Sequence, residues 1–514
     1  MATEQEKRGS DYFQRRKLKP QASLRSSTNE EDGGGLLIGR PIRNCETADS
    51  AMALKVIIVG AGLAGSLLAN GLLNNDIDFV LYESDEQSSN REGYQIRLGS
   101  PALAGFNACL PPEDKDALIA KFGRSGGMIS SAPILYNTRF KVLLDLTKFP
   151  AYTKSAPINR VILRDFFRKG LDVAEKIQYG KQFKEYRVIP SEDGLSKVEV
   201  LFEDGSLDVC DLLISAEGSR SRVNHQIGLD NIVQLTDKWR FLAKGPLSTE
   251  KLKSLPPEIK KGPITVLKDG LILFFSAYLP APKNSTPPGN PDEQGGKEHE
   301  TISDGASLFW SLSVPSERVQ KAGDAAFQDR LAFCIEQLKD WDSGFHEMLK
   351  ATDDTYIHVF QARASEMPKK TWRVDQRAAS KGNPAVGHSH VWLIGDAIHP
   401  MLPSRGMGGN QAMRDTADAL PIILQLAKKS AHSGLSDVDF EKAVLDYESL
   451  MMSRAFGWVK ASGGTSGEMV EPESIKGKIL LLFAAGVLHI VHVFFLIRTA
   501  FGYRPKDDAP ELLD

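Results

Sequence analysis

A strand, a glycine turn and a helix in direct succession constrain this chain more than any other feature. Lys55-Val56-Ile57-Ile58-Val59 is a short β-branched apolar run, the pattern of a buried strand. Gly60-Ala61-Gly62-Leu63-Ala64-Gly65 follows it with the spacing G-x-G-x-x-G, and Ser66 to Leu73 then carries apolar residues at helical spacing. Phe79-Val80-Leu81-Tyr82-Glu83 reads as a second buried strand, so the stretch forms one βαβ unit. Each glycine has its own physical task. Gly60 permits the tight turn, Gly62 lets backbone approach a pyrophosphate, and Gly65 lets helix and strand pack closely. The helix N-terminus offers free N–H groups and a positive dipole end to phosphates. Glu83 closes the second strand about 20 residues on, where a carboxylate can accept hydrogen bonds from both ribose hydroxyls of an adenosine. Its charge disfavours a 2′-phosphate, which points to FAD or NAD rather than NADP.

A distant segment separates these two. Gly395-Asp396-Ala397-Ile398-His399-Pro400-Met401-Leu402-Pro403 follows the apolar run Val391 to Ile394 and leads into Gly406-Met407-Gly408-Gly409-Asn410. It resembles the G-D-A-x-H-P-x-x-P-x-x-G-x-G-x-N stretch of the aromatic-hydroxylase flavoproteins, FAD-dependent class A monooxygenases. Asp396, at a strand end, can bind ribityl or ribose hydroxyls. Glycines from Gly406 to Gly409 let backbone lie against a flavin ring. A helix starting there aims its N–H groups at the flavin N1–C2=O edge, which is anionic in the reduced state. Pro400 stiffens the loop after His399. Arg414 departs from the acidic residue common before Asp415 in the family and puts one local helix contact in doubt.

Two further segments carry the resemblance. Cys210 to Val223, reading CDLLISAEGSRSRV, is similar to the family's strand ending in D-G, with Glu217 in place of the Asp and Asn224 where an Arg is common. That departure weakens the nicotinamide assignment more than the FAD one. Asn159-Arg160-Val161-Ile162-Leu163 looks like the family's R-x-x-L segment, which implies that Arg160 contacts FAD with its fork of donors. Arg91-Glu92-Gly93-Tyr94-Gln95-Ile96-Arg97 resembles the loop covering the flavin, with Gly93 and Arg97 near the cofactor. The resemblance covers about residues 55–460 and is closest to salicylate-hydroxylase-like and fungal secondary-metabolite members.

The resemblance implies an α/β fold: a Rossmann-type FAD-binding domain with an inserted β-sheet substrate domain, plus an apolar C-terminal helix. The expected division is a disordered extension over 1–54, FAD-binding segments over 55–235 and 385–465, a substrate domain over 236–384 with a mobile insertion at 281–306, and a C-terminal segment over 466–514. Further strands are expected at 198–203, 209–216, 271–276 and 307–314, and helices at 325–350 and from about Gly409 to Lys428. The cofactor-binding set is Gly60, Gly62, Gly65, Glu83, Arg97, Arg160, Asp396 and Gly409. Arg240, in Lys238-Trp239-Arg240-Phe241, is the candidate catalytic helper, able to anchor an anionic substrate or donate a proton; the alternative is a strand-edge charge. No metal site is indicated.

The implied activity is an NADH- or NADPH-using monooxygenation of an aromatic, polyketide or terpenoid-like small molecule by O2, through a flavin C4a-hydroperoxide, in secondary metabolism. A membrane-bound flavin epoxidase or reductase, and a non-catalytic flavin-fold escort protein, are the alternatives. The net charge of -3 carries no polyanion signal, so nucleic acid is not an expected partner. Four scattered cysteines (Cys45, Cys109, Cys210, Cys334) lack C-x-x-C spacing and read as reduced thiols in an intracellular protein. Residues 1–54 lack an apolar h-region, and their acidic residues argue against a mitochondrial address. Ile479 to Ile497 is a 19-residue run without formal charge, flanked by Lys476, Lys478 and Arg498. It is either a membrane segment on an intracellular membrane or a buried helix capping the flavin domain.

Overall fold

The computed structural model describes residues 54–89, 95–122, 133–146, 155–190, 194–278, 307–352, 357–465 and 470–502. Residues 1–53, the 281–306 insertion and Arg91 to Tyr94 lie outside the described residues.

The chain opens with β1 (Lys55–Val59), α1 (Leu63–Leu73), β2 (Asp78–Tyr82), β3 (Gln95–Leu98), α2 (Ser100–Cys109) and α3 (Pro112–Ile119). Then come β4 (Ile134–Tyr136), β5 (Val142–Asp145), β6 (Ala156–Asn159), α4 (Arg160–Val173), β7 (Ile177–Gln178), β8 (Phe183–Pro190), β9 (Ser196–Phe202), β10 (Leu207–Cys210), β11 (Leu212–Ser215) and α5 (Arg222–Gln226). The middle holds β12 (Ile232–Gln234), β13 (Lys238–Pro246), α6 (Thr249–Ser254), β14 (Ile264–Lys268), β15 (Leu271–Tyr278), β16 (Ser307–Pro315), α7 (Ser316–Ala322), α8 (Ala325–Gln328), α9 (Arg330–Gln337) and α10 (Ser343–Lys350). The last elements are β17 (Ile357–Phe360), β18 (Arg363–Ser365), α11 (Trp372–Ala379), β19 (Val391–Leu393), α12 (Gly408–Ser433), α13 (Asp437–Ala461) and α14 (Ile475–Ala500).

Two sheets organise the molecule. A parallel five-stranded sheet runs β19-β11-β1-β2-β7, with β1 between β11 and β2. Its strands are continuous apolar runs because helices cover both faces, as parallel sheets require. Val56, Ile57, Ile58, Leu212, Leu213, Ile214, Val391 and Trp392 are fully buried, in one core with α1, α2, α12 and α13. The second sheet has seven strands in the order β17-β13-β16-β15-β14-β4-β5. Its strands alternate: Phe241, Ala243, Trp310, Leu312, Leu273 and Phe275 point into a separate core with α9 and α10.

Several expectations shift. The helix over 325–350 is interrupted, because Asp329 and Asp342 each accept a backbone N–H and start a new helix, α9 and α10. The strand over 209–216 divides at Asp211, whose carboxylate accepts the Lys55 N–H at 2.8 Å and aligns β11 with β1. Strands β4 and β5 come from the 55–235 segment, yet β4 pairs with β14 and β5 with β4, so the seven-stranded sheet draws on both segments. The C-terminal helix α14 is not a buried cap: none of its apolar window is buried.

Candidate functional site

The three glycines of the first turn have different surroundings. Gly60 has φ +104° and donates its N–H to Tyr82 O at 2.7 Å; a Cβ there would lie 2.5 Å from Ala216 O at the end of β11. A Cβ on Gly65 would lie 2.0 Å from Gly60 O, so helix and turn touch through backbone alone. A Cβ on Gly62 would meet nothing within 4 Å. Gly62 therefore faces an open cradle while its two companions are packed shut.

Glu83 sits beneath this turn and is buried. Its Oε2 accepts the Ala61 N–H at 2.9 Å and Arg168 Nη2 at 2.9 Å, and its Oε1 accepts the Asp85 N–H at 3.0 Å. Arg168, also buried, donates from Nε to Ala61 O at 2.9 Å. Here the carboxylate braces the turn, and a ribose contact would share oxygens already engaged. Arg168 was missed by sequence reasoning. Its only signal is a charge on the apolar stripe of α4, between Leu163 and Leu171 beside Phe167.

The second segment closes the same cradle. Gly395, at φ +60°, approaches Ala412 of α12, where a Cβ would lie 3.0 Å from the Ala412 Cβ. A Cβ on Gly408 would lie 3.9 Å from Asp396 Oδ1, and one on Gly409 would lie 3.9 Å from Leu63 Cδ1. The N-terminus of α12 thus meets both the G-D turn and the first turn of α1. Asp396 is solvent-accessible, yet protein surrounds it closely enough that desolvation pushes its carboxyl above the ordinary value; the charges of His399 and Arg160 oppose that rise. Arg160 opens α4, whose N-cap Asn159 accepts the Val161 N–H at 2.8 Å. Arg97 donates to Ser155, and burial lowers its guanidinium to about 10. Asn410 ties β3 to α12: its Oδ1 accepts the Gly99 N–H at 2.8 Å, and its Nδ2 donates to Arg97 O at 2.9 Å.

Behind the G-D loop lies a buried network. His399 Nε2 is 2.6 Å from Asp415 Oδ2, which also accepts the Gly395 N–H at 2.7 Å. Arg454 of α13 donates to Asp415 Oδ1 at 2.7 Å and to Asp418 at 2.8 Å. Asn224 donates to Ala397 O at 2.8 Å and Asn231 to Ile398 O at 2.9 Å. Asn224 stands where an Arg is common, and here it pins the loop. The Glu217 carboxylate accepts from Ser215, Ser221 and the Val223 N–H, so it organises its own turn. Arg414 pairs with the buried Asp418 one turn on in α12.

Arg240 is on β13, opposite Ser313 of β16 and Phe360 of β17. By alternation it shares with Leu242, Ser311, Ser313 and Phe274 the sheet face turned away from the second core. Burial lowers its guanidinium from the ordinary value. The connection after β17 leads to β18, which pairs with β12 and whose Ser365 N–H donates to Pro400 O at 3.0 Å, tying β18 to the G-D loop.

The cradle fits FAD: Gly62, Gly408 and Gly409 offer bare backbone, two helix N-termini converge on it, and an acid lines it. A family model described as an FAD binding domain matches residues 335–442. The dual O-methyltransferase/FAD-dependent monooxygenase elcB of Phaeosphaeria nodorum is 23% identical, over 80% of this chain and 45% of its own length. The FAD-dependent monooxygenase thnD of Trichoderma harzianum is 24% identical, over 84% of this chain and 96% of its own. The chloroplastic zeaxanthin epoxidase of Nicotiana plumbaginifolia is 24% identical, over 77% and 52%. The chain thus spans about half the length of the first curated relatives it matches. Among solved structures, an FAD containing monooxygenase of Photorhabdus luminescens aligns with TM-score 0.60 and 26% identity, over 80% of this chain and 96% of that one. Klebsiella pneumoniae HpxO, complexed with FAD and uric acid, shares the fold at TM-score 0.56 and 16% identity, over 85% and 92%. Architecture, cofactor cradle and relatives agree: residues 335–442 match an FAD binding domain, and most of the chain is similar to FAD-dependent monooxygenases of the aromatic-hydroxylase type.

Proposed function

We propose that this protein is an NAD(P)H-using monooxygenase that inserts one oxygen atom of O2 into an aromatic, polyketide or terpenoid-like substrate, by hydroxylation or epoxidation, in secondary metabolism. The observation that carries this reading is the cradle built by Gly62, Asp396 and Gly408. Bound FAD supplies the redox chemistry and oxygen activation that no side chain offers. The residues do the rest. The α12 N-terminus favours negative charge at the flavin edge. The seven-stranded sheet offers a face of apolar and hydroxyl side chains (Leu242, Phe274, Ser311, Ser313) to orient an apolar substrate bearing a few polar groups. Arg240 on that face anchors an anionic oxygen or donates a proton to it. Glu83, Arg97 and Arg160 belong to the proposed cofactor contacts. The relatives named as monooxygenases and epoxidases support this over an escort role. NAD(P)H supply sets the site of action inside the cell.

The test is oxygen consumption by purified holoprotein with NADH or NADPH across a panel of phenols, polyketides and olefinic terpenoids. Stimulated uptake with an oxygenated product supports the proposal. Flavin that is never reduced by either nucleotide, with any compound, overturns it.

A further inference from the structure

Helix α14 is unlike every other helix described. Over Ile475–Arg498 its mean hydropathy is 2.5 in the most apolar window, and none of that window is buried. Ile475, Leu480, Phe483, Ile490, Phe494 and Leu496 are all exposed. At about 100° per residue they sweep roughly 200° of the circumference. The remaining arc, with Leu481, Ala484, Leu488 and Phe495, is only half-covered and is apolar too. A protein partner or a second copy would cover one stripe and leave the rest in water. A helix lying in a membrane interface needs a broad charged face, whereas residues 479–497 hold no formal charge and His489 and His492 as their most polar side chains. A 24-residue span is roughly 36 Å long, enough for a hydrocarbon core of about 30 Å with some tilt. Lys476 and Lys478 stand before the run and Arg498 after it, where headgroups would be.

The root of this helix is fastened to the substrate-side sheet. Lys268, at the end of β14, lies 3.6 Å from Glu471 and 4.0 Å from Glu473. The neighbouring Asp269 N–H donates to the Glu471 carboxylate. Ser474 then starts the helix, accepting the Lys478 N–H on its carbonyl at 2.8 Å and the Gly477 N–H on its hydroxyl at 3.0 Å. Gly477 allows the first turn to fold back: a Cβ there would lie 1.9 Å from Glu471 O.

We propose that α14 spans a lipid bilayer as a single anchor, and that the contacts of Lys268 and Asp269 with Glu471 and Glu473 hold the β14–β15 turn of the seven-stranded sheet at the membrane surface. The seven-stranded sheet is then held against the bilayer through a defined edge rather than on a free tether.

The experiment uses flavin-loaded full-length protein, a version ending at Glu473, and the Glu471→Ala/Glu473→Ala variant, each mixed with phosphatidylcholine vesicles. Full-length protein should float with the vesicles and resist an alkaline carbonate wash. The shortened version should stay in the dense fraction and keep its flavin absorbance. Hydrogen exchange at residues 268–271 of full-length protein should slow by at least tenfold on vesicles. In the double alanine variant, which still floats, that slowing should disappear. Full-length protein that stays in the dense fraction, or that carbonate strips from vesicles, overturns the anchor. Exchange at 268–271 that is unchanged by vesicles, or equally slowed in the double variant, overturns the orientation. None of these readouts needs turnover, so they stand apart from the fate of the monooxygenase proposal.

Discussion

His399 and Asp415 form an ion pair with both side chains fully buried, Nε2 to Oδ2 at 2.6 Å, and Asp415 holds the Gly395 N–H with the same oxygen. Burial alone would raise the Asp415 carboxyl and lower His399. Instead, His399 and Arg454 hold Asp415 below its ordinary 3.8, and Asp415 holds His399 above its ordinary 6.5. The pair is thus charged, and it shapes the turn that presents Asp396.

A pH signature follows. The raised His399 contributes stability that is fully present below about 6.5 and is lost as pH rises through its folded value. The depressed Asp415 contributes stability that is present above about 3.8 and is lost as pH falls through its folded value. Asp415→Asn removes one partner of a buried pair and should cost about 3–5 kcal/mol. The melting-temperature gap between wild type and Asp415→Asn should be widest between those limits and narrow toward both ends. A gap that is flat from pH 4 to pH 9 would show that the pair is not ionised.

The glycine turn predicts opposite fates for neighbouring substitutions. Gly62→Val adds atoms only to the open cradle, so the apoprotein should fold with a near-normal melting temperature and lose its FAD. Gly65→Ala puts a methyl 2.0 Å from Gly60 O and should destabilise the domain itself. Flavin absorbance per mole, read beside a thermal melt, separates the two. Full FAD occupancy in Gly62→Val would contradict the assignment.

Arg168→Met should leave Glu83 buried beneath the turn without its cation. The expected cost is about 3–5 kcal/mol, with reduced flavin content. Glu83→Gln combined with Arg168→Met should recover part of the stability, because the stranded charge is gone. A single mutant as stable as wild type in urea would remove Arg168 from the site.

Arg240→Ala should keep FAD and lower kcat/KM at least tenfold, about 1.4 kcal/mol of transition-state stabilisation. Steady-state kinetics at matched flavin content would decide; unchanged turnover would leave Arg240 as a charge on a sheet face.

What the chain disclosed by eye were local patterns. The strand–turn–helix at Lys55 to Leu73 and the G-D turn before α12 are written in consecutive residues whose period and glycines have few meanings. Arg168, Asn224, Asn231 and Arg454 carry no such pattern. Each acts on a partner far along the chain, as when Asn224 reaches Ala397 O, and only tertiary closure brings them together. The pairing of β4 with β14 is long-range in the same way. The breaks at Asp329 and Asp342 were local and legible in principle, but helical periodicity on both sides masked two capping acids.

Strand β19 lies at one edge of the parallel sheet, beside β11, and α12 follows it directly. During synthesis the glycine turn after β1 therefore emerges from the ribosome more than 300 residues before the loop that completes its pocket. At about 5–20 residues per second the early βαβ unit waits tens of seconds until β19 pairs with β11 and the loop after it closes the pocket. The middle sheet, whose strands lie nearer one another in sequence, can form first and act as its own scaffold. Flavin loading is then an event of the finished chain, and a ribosome stalled before residue 391 would release a protein whose nucleotide turn is intact but colourless.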